Sequence, residues 1–172
     1  MAQIPIRIYG DPVLRKKAAP VDGVDEEIRT LAADMVETMQ GADGIGLAAN
    51  QVGELCRLLT LNFDVDAGGE GATALVNPRI VEREGEQVSM EGCLSIPDIW
   101  EEVDRHDRIV VEYLDLDGEE QTRELTGLHS AVVQHEIDHL EGILFIDHLP
   151  SVRRMMLKGS LKQMARSSRQ TA

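Results

Sequence analysis

The sequence predicts an α+β fold in which mainly antiparallel sheets surround a central helix, with a further helix near each end of the chain. Apolar residues recur at helical spacing in three segments, which are 25–40, 126–142 and 151–172. Short apolar runs bounded by turn residues predict strands over 55–63, 73–81 and 109–116. Because the strands come as a group rather than alternating with helices, we expect antiparallel pairing.

Two of these elements have clear boundary signals. The first helix has acidic residues in its first turn, Gly41 just past its end, and an apolar stripe formed by Ile28, Leu31, Ala32, Met35, Val36 and Met39. Asp117-Gly118 separates two strand-like segments, 110–114 and 121–125, and predicts a β-hairpin.

The segment His135-Glu136-Ile137-Asp138-His139 has the HExxH pattern of a catalytic metal site. One turn of helix would place the two imidazoles on one face, with Glu136 beside them. A cation bound by two imidazoles needs at least one more protein ligand, and the adjacent carboxylate can take a proton from water at the metal. The third ligand therefore has to come from elsewhere in the chain.

Downstream of His139 the choice of ligands is poor. Metzincin proteases continue the motif to a third histidine, but Phe145 occupies that position here. Thermolysin-like enzymes use a later glutamate, and no acidic residue follows Asp147. Glu141 is two residues from His139 and would point away from it in a continuing helix. Asp147 itself remains an open alternative.

Upstream, four residues offer a nitrogen or sulfur ligand, namely Cys56, Cys93, His106 and His129. His129 is six residues before His135 in the same helix and lies on a different face. Cys56 sits in an apolar run and is typical of a core thiol. Cys93 follows Gly92, where the backbone can bend and expose both the sulfur and the next amide. It is the best third ligand that the sequence offers.

Three segments taken together resemble peptide deformylase, a family of metallohydrolases. They are GIGLAANQ at 44–51, EGCLS at 91–95 and QHEIDH at 134–139. HExxH alone is moderately specific, but all three segments in this order and spacing are a strong signal. The resemblance extends from about Pro5 to about Pro150.

The resemblance implies removal of the N-formyl group from the N-terminal formylmethionine of nascent polypeptides, with release of formate. It implies one divalent metal ion on Cys93, His135 and His139, with Fe²⁺ as the native metal and Zn²⁺, Ni²⁺ or Co²⁺ as substitutes. Glu136 would act as general base and then general acid as metal-bound hydroxide attacks the formyl carbon. The Leu94 amide and the Gln51 side chain would stabilise the resulting oxyanion.

The substrate peptide should bind in extended form beside Gly44 and Gly46, where the missing side chains let another backbone approach closely. Its methionine side chain should enter an apolar pocket. From helical geometry we expect Ile45, Leu128 and Val132 to line that pocket, and the same helix residues also suit an ordinary core.

Composition indicates a single domain over 1–172 and a cytoplasmic protein. A chain of 172 residues can bury a sufficient core without disulfides, and its two cysteines favour a reducing compartment. No signal-peptide-like or membrane-spanning apolar run is found, and the net charge of −14 disfavours DNA binding. The resemblance implies a monomer.

The last segment, 151–172, differs from the rest because it has six Lys or Arg and no acidic residue. We expect a basic C-terminal helix packed through an apolar stripe formed by Val152, Met155, Met156, Leu161 and Met164. A contact between this helix and the ribosome would suit an enzyme that acts on nascent chains.

Two other functions remain open from the sequence. A peptidase that cuts internal bonds would share the attacking water but need a longer cleft and a different third ligand. A non-catalytic binding protein with a structural metal would need a fourth protein ligand.

Overall fold

The computed structural model describes residues 2–63 and 71–170 and confirms the α+β prediction. Its regular elements in chain order are α1 Glu26–Gly41, β1 Gly46–Ala48, β2 Leu58–Asn62, β3 Ala72–Glu84, β4 Gln87–Cys93, β5 Ile96–Arg105, β6 Arg108–Leu114, β7 Glu120–Thr126, α2 Gly127–Leu140 and α3 Ser151–Gln170. None of the helices described has both the length and the apolar character needed to cross a membrane.

The strands form two antiparallel sheets. One sheet has the order β1-β2-β3-β6-β7, and the other consists of the β4–β5 pair. The sequence did not predict β1, β4 or β5. β1 has only three residues, and the inward positions of β5 include Glu101 and Arg105. Inward charges break the apolar alternation by which strands are recognised.

Helices cover both faces of the larger sheet, as alternate residues of its strands show. Leu58 packs in one buried cluster with Met35 and Met39 of α1. The next residue, Leu59, packs in another cluster with Val133 and Leu140 of α2. Because successive strand residues point to opposite faces, α1 and α2 lie on opposite sides of the sheet.

Local signals explain where the early elements begin. The Asp25 carboxylate accepts a hydrogen bond from the Ile28 amide at 2.9 Å and caps α1. The strand predicted from residue 55 begins only at Leu58, because Cys56 instead forms an isolated bridge with Ala19. Cys56 is half-buried against the α1 side of the core, in agreement with a core thiol.

The apolar stripe predicted for α3 is only partly correct. Leu161 is buried, and Leu157 and Met164 pack beside it against β5 and the turn after α2. Val152, Met155 and Met156 are 66%, 74% and 68% exposed. Val152 and Leu161 are nine residues apart, which places them on opposite faces of a straight helix. The first turns of α3 therefore present an apolar surface to solvent.

The C-terminal end of α2 is fixed by a glycine. Gly142 has φ +76°, its amide donates to the His139 carbonyl at 3.0 Å, and the Ile143 amide donates to the Asp138 carbonyl at 2.9 Å. These two bonds form a Schellman motif. A Cβ on Gly142 would lie 2.6 Å from the Arg15 carbonyl oxygen. The turn that carries His139 is therefore held where only glycine fits.

Gly142→Ala should destabilise the protein by about 2 kcal/mol, because the alanine meets both the left-handed backbone and the Arg15 carbonyl. For a chain of this size the unfolding midpoint should fall by roughly 4–8 °C. Differential scanning calorimetry measures the change.

Gly159→Ala is the matched control. Gly159 lies within α3, and a Cβ there would meet nothing within 4 Å. Alanine should therefore leave stability unchanged or raise it by up to about 1 kcal/mol. Equal melting temperatures for Gly142→Ala and the unmodified protein would contradict the proposed strain.

Candidate metal centre and active site

The structure brings the three predicted metal ligands together from two elements. His135 and His139 are one turn apart on α2, with ring centroids 5.0 Å apart. Cys93 is the last residue of β4, and its Sγ lies 3.3 Å from His139 Nε2. Each residue offers one ligand atom, and these atoms lie within 4.8 Å of one another. In the described part of the chain, the cluster consists of these three residues.

The donor set fits a divalent transition metal. On a tetrahedral ion with metal–sulfur and metal–nitrogen bonds of about 2.3 and 2.1 Å, the sulfur and nitrogen ligand atoms lie about 3.6 Å apart. Cys93 Sγ and His139 Nε2 are 3.3 Å apart, which is close to this value. His139 Nδ1 is buried without a hydrogen-bond partner. Thiolate and imidazole donors suit zinc and iron rather than calcium or magnesium.

The other candidate ligands are engaged elsewhere. Asp147, which the sequence left open, forms an ion pair with Arg15 and accepts a hydrogen bond from the Leu144 amide. Glu141 pairs with Lys17 and Arg57.

The remaining residues near the motif also have packing roles. His129 packs edge-on against Phe63, and the His106 amide donates to Gln134. Phe145, at the metzincin histidine position, stacks on the His135 ring with centroids 5.9 Å apart. None of these three contributes to the cluster.

A buried ionic chain orients His135. His135 Nδ1 donates to Glu91 Oε2 at 2.8 Å. Arg105 donates to both oxygens of the same carboxylate, from Nε at 2.7 Å and from a terminal nitrogen at 3.0 Å. The Glu91 and Arg105 side chains are only 6% and 4% exposed. With Nδ1 engaged, His135 has Nε2 free to face the Cys93 side of the site.

The same contacts set the charges around His135. Burial raises the pKa of Glu91, but hydrogen bonds from His135 and Arg105 outweigh it and lower the pKa to about 2. Burial lowers the pKa of His135, but Cys93 and Glu91 outweigh burial and raise it well above its ordinary value. Burial and the neighbouring His135 lower the pKa of His139. Glu91 is therefore a permanent anion that accepts the His135 proton.

The ionic chain continues to the surface through residues that the sequence did not single out. Arg105 donates to Asp138 at 2.7 Å, and His148 Nε2 donates to the same Asp138 oxygen at 2.7 Å. Glu91 belongs to the EGCLS segment, but the sequence indicated no role for it. Arg105 had no signal because its partners are 14 and 33 residues away.

Glu136 projects into the site beside β1. Burial raises the pKa of Glu136 to about 7, and its Oε2 has no hydrogen-bond partner within the protein. A Cβ on Gly46 would lie 2.6 Å from Glu136 Oε1 and 2.9 Å from Val132. Glycine is therefore required at position 46 for β1 to pass this close to the carboxylate. The sequence alone did not reveal this requirement.

Gln51 is also fixed at the site. Its Oε1 accepts from the Ala48 amide at 2.9 Å, so its Nε2 points toward Cys93 Sγ, 3.5 Å away, and Ser95 Oγ, 3.2 Å away. The side chain is 1% exposed. Burial and these contacts leave Nε2 as a fixed donor beside the Cys93 sulfur.

A cavity of about 490 Å³ opens over these groups. The predicted residues that line it are Gly44, Ile45, Gly46, Gln51, Cys93, Leu94, Leu128, Val132, His135 and Glu136. His139 lies behind them and is almost fully buried. Leu128 is 46% exposed, so it stands at the cavity mouth rather than in the core. The site thus joins an ionisable carboxyl, a thiol and two imidazoles that could hold a metal, and apolar walls.

The sequence matches the family model for polypeptide deformylase over residues 4–155. The chain belongs to the peptide deformylase family. Peptide deformylase of Alkalilimnicola ehrlichii is 46% identical over 169 residues, which span 98% of this chain and 94% of the relative. Family membership at this coverage supports a deformylase, a metal-dependent hydrolase.

Solved structures agree with the fold. The crystal structure of peptide deformylase from Thermus thermophilus is 44% identical, with a TM-score of 0.88 over 96% of this chain and 99% of that one. Peptide deformylase from Synechococcus elongatus, solved in complex with actinonin, is 36% identical with a TM-score of 0.86, over 95% and 88% of the two chains.

Glu91→Gln should weaken metal binding by about 10- to 100-fold, because a neutral amide is a poorer partner for His135 and leaves the buried Arg105 with Asp138 as its remaining carboxylate partner. Titration of the protein with zinc against a competing chelator measures the affinity.

Glu102→Gln serves as the control, since Glu102 is exposed on β5 of the same hairpin. Its zinc affinity should equal that of the unmodified protein. If Glu91→Gln also bound zinc with full affinity, Glu91 would not be what orients His135.

Proposed function

We propose that the chain hydrolyses the formamide bond of N-terminal formylmethionine on nascent polypeptides and releases formate. The observation that carries this proposal is a three-residue cluster facing a cavity that also holds the buried Glu136 carboxyl, whose Oε2 has no hydrogen-bond partner within the protein. Three protein ligands rather than four are typical of a catalytic site. Membership of the deformylase family supports the substrate.

In this proposal Cys93, His135 and His139 hold the divalent cation. The cation supplies Lewis acidity, which brings the pKa of water into the neutral range. On the basis of the resemblance to peptide deformylase, we propose ferrous iron as the native metal, with zinc, nickel or cobalt as substitutes. Elemental analysis of anaerobically purified protein identifies it.

Glu136 moves the proton. With a pKa of about 7, its carboxylate takes a proton from the attacking water at neutral pH and gives it to the leaving amine. Because Oε2 makes no hydrogen bond to the protein, nothing competes for that proton. Because Gly46 has no Cβ, β1 passes beside the carboxyl without displacing it.

Gln51 and Leu94 stabilise the oxyanion. Gln51 Nε2 is held next to Cys93 by the bond between Ala48 and Oε1, so this donor is already oriented before substrate binds. Leu94 follows Cys93 directly and lines the same cavity, so its amide is the second donor in this proposal. Two fixed donors on one side of the reacting carbon suit the developing charge.

The peptide binds along β1. This strand lies at the edge of its sheet, and Gly44 to Gly46 line the cavity, so an extended substrate can add to it through main-chain hydrogen bonds. The methionine side chain of the substrate enters between Ile45, Val132 and Leu128. An unbranched apolar side chain suits this narrow apolar wall.

The proposed chemistry is tested with formyl-Met-Ala-Ser and an internally quenched peptide. The zinc- or iron-loaded protein should release formate and leave the quenched peptide intact. Glu136→Gln should lower kcat by about 10²- to 10⁴-fold without loss of bound metal, because the proton acceptor is removed. Formate dehydrogenase coupling measures the rate.

Other outcomes would identify the rival functions. Fragments of the quenched peptide would indicate a peptidase. Absence of both products with metal bound would indicate a binding protein. Glu86→Gln, at an exposed acidic residue that does not line this cavity, controls for a simple change of charge.

We further propose that α3 contacts the ribosome. The support is its composition, with six basic and no acidic residues from 151 onward, and the exposed Val152, Met155 and Met156 on its first turns. Basic side chains attract RNA phosphates even when the whole protein is acidic. The exposed apolar residues supply contact area beside those charges.

Reversing the charges of Arg154, Lys158 and Lys162 to Glu should lower co-sedimentation with ribosomes by at least about tenfold at low salt. Substitution is preferable to deletion, because Leu161 of α3 packs into the core. Hydrolysis of a free formyl peptide should be unaffected.

The control reverses three exposed basic residues on the rest of the protein, Lys16, Arg79 and Arg83. This variant should co-sediment like the unmodified protein. Equal loss in both variants would indicate a general charge effect and contradict a role for α3.

We also propose that the protein works as a monomer in the cytoplasm without binding DNA. The support is the two free cysteines, one of them in the metal cluster, and the acidic net charge of −14.

A further inference from the structure

Two buried carboxylates face each other across the β4–β5 hairpin. Glu91 and Glu101 are direct cross-strand partners, and they are only 6% and 7% exposed. Residues at directly opposite positions of an antiparallel pair have Cβ atoms about 4.5–5.5 Å apart, and like charges there destabilise the pairing. Arg105 and His135 neutralise Glu91. Neither of them forms a hydrogen bond with Glu101 in the described structure, so Glu101 needs a counterion of its own.

The counterion of Glu101 comes from α3. Arg153 donates to Glu101 Oε2 from Nε at 3.0 Å and from a terminal nitrogen at 2.6 Å. Among the residues that the structure describes, Arg153 is the only one that forms an ion pair with this carboxylate. The next inward residues of β5 on either side, Ile99 and Val103, belong to an apolar cluster, so their side chains offer no donor. A buried charge without a partner is costly, and Arg153 removes that cost.

We propose that Arg153 is a positioning residue of the metal centre, which it supports from α3 through Glu101. By neutralising Glu101, it prevents that carboxylate from repelling Glu91 across the hairpin. Glu91 therefore stays on the His135 ring and holds its orientation. This inference rests on the metal binding of the proposed function and does not depend on the substrate. Neither Arg153 nor Glu101 lines the cavity that contains Glu136.

Titration of the protein with zinc against a competing chelator measures the effect. Arg153→Gln should weaken zinc binding by about three- to tenfold, which is less than expected for Glu91→Gln because Arg153 acts one contact further from the ligand. Arg153→Lys should keep most of the affinity, because it keeps the positive charge. Arg154→Gln is the matched control. Arg154 is the next residue of the same helix, is exposed, and has no ion-pair partner in the part of the chain that the structure describes.

Glu101→Gln separates the charge of Glu101 from the anchoring of α3. This variant alone should bind zinc with full affinity, because Glu91 then faces a neutral side chain. In the double variant Arg153→Gln/Glu101→Gln the affinity should return to within about twofold of the unmodified protein, although the ionic link between α3 and β5 is still missing. A purely structural role of Arg153 predicts no such recovery.

The Nδ1 proton of His135 provides a second measurement that does not depend on zinc affinity. A proton donated to a carboxylate is strongly deshielded, so it is observable in NMR spectra of ¹⁵N-histidine-labelled protein. Its resonance should move or broaden in Arg153→Gln. It should return to its original position in the double variant, and it should be unchanged in Arg154→Gln.

Full zinc affinity in Arg153→Gln would overturn the inference. A loss of affinity that persists after Glu101→Gln is added would also overturn it, because the effect would then come from the anchoring of α3. An equal loss in Arg154→Gln would indicate a general effect of charge on α3 and contradict a specific role of Arg153. Failure of the proposed function is a separate result, namely absence of formate when the unmodified zinc-loaded protein is given formyl-Met-Ala-Ser.

Discussion

The ion pair between Glu91 and Arg105 is the interaction on which the rest of the site depends. Both groups are nearly inaccessible to water, and a buried charge without a partner is very costly. The pair lies within the β4–β5 hairpin, and two residues of α2 join it, His135 at the same carboxylate and Asp138 at Arg105. These contacts fix the hairpin against α2. They place Cys93 beside His139. The cluster of Cys93, His135 and His139 therefore depends on the contacts that neutralise the Glu91 carboxylate.

Close backbone approach at three glycines provides the second constraint. Gly142 ends α2 against the Arg15 carbonyl, Gly46 lets β1 pass beside Glu136, and Gly92 supports the Trp100 ring. In each case a Cβ would come within 3 Å of another atom. A side chain at any of these positions would collide with a neighbouring group. The three glycines therefore allow the end of α2, the Glu136 carboxyl and the Trp100 ring to lie where they do.

The sequence predicted the metal ligands because their signals are local. Two histidines four residues apart share a helix face, and Cys93 follows a glycine in a recognisable motif. The role of Arg105 could not be predicted, since it depends on partners distant in sequence and on β5, whose inward charges obscure the strand pattern. The sequence also did not predict the exposure of the first turns of α3. The predicted stripe joins apolar residues nine positions apart, and helical geometry puts such residues on opposite faces.

The interior and the rim of the cavity differ in what they contribute to stability. Gln51 and His135 are buried and hydrogen-bonded to neighbouring groups, and Glu136 is buried beside Gly46, so packing fixes where these three side chains lie. Trp100 and Met90 are mostly exposed, and shortening them removes little buried surface. A large aromatic side chain kept in water gains little for folding. Its free energy of burial becomes available only when a ligand covers it.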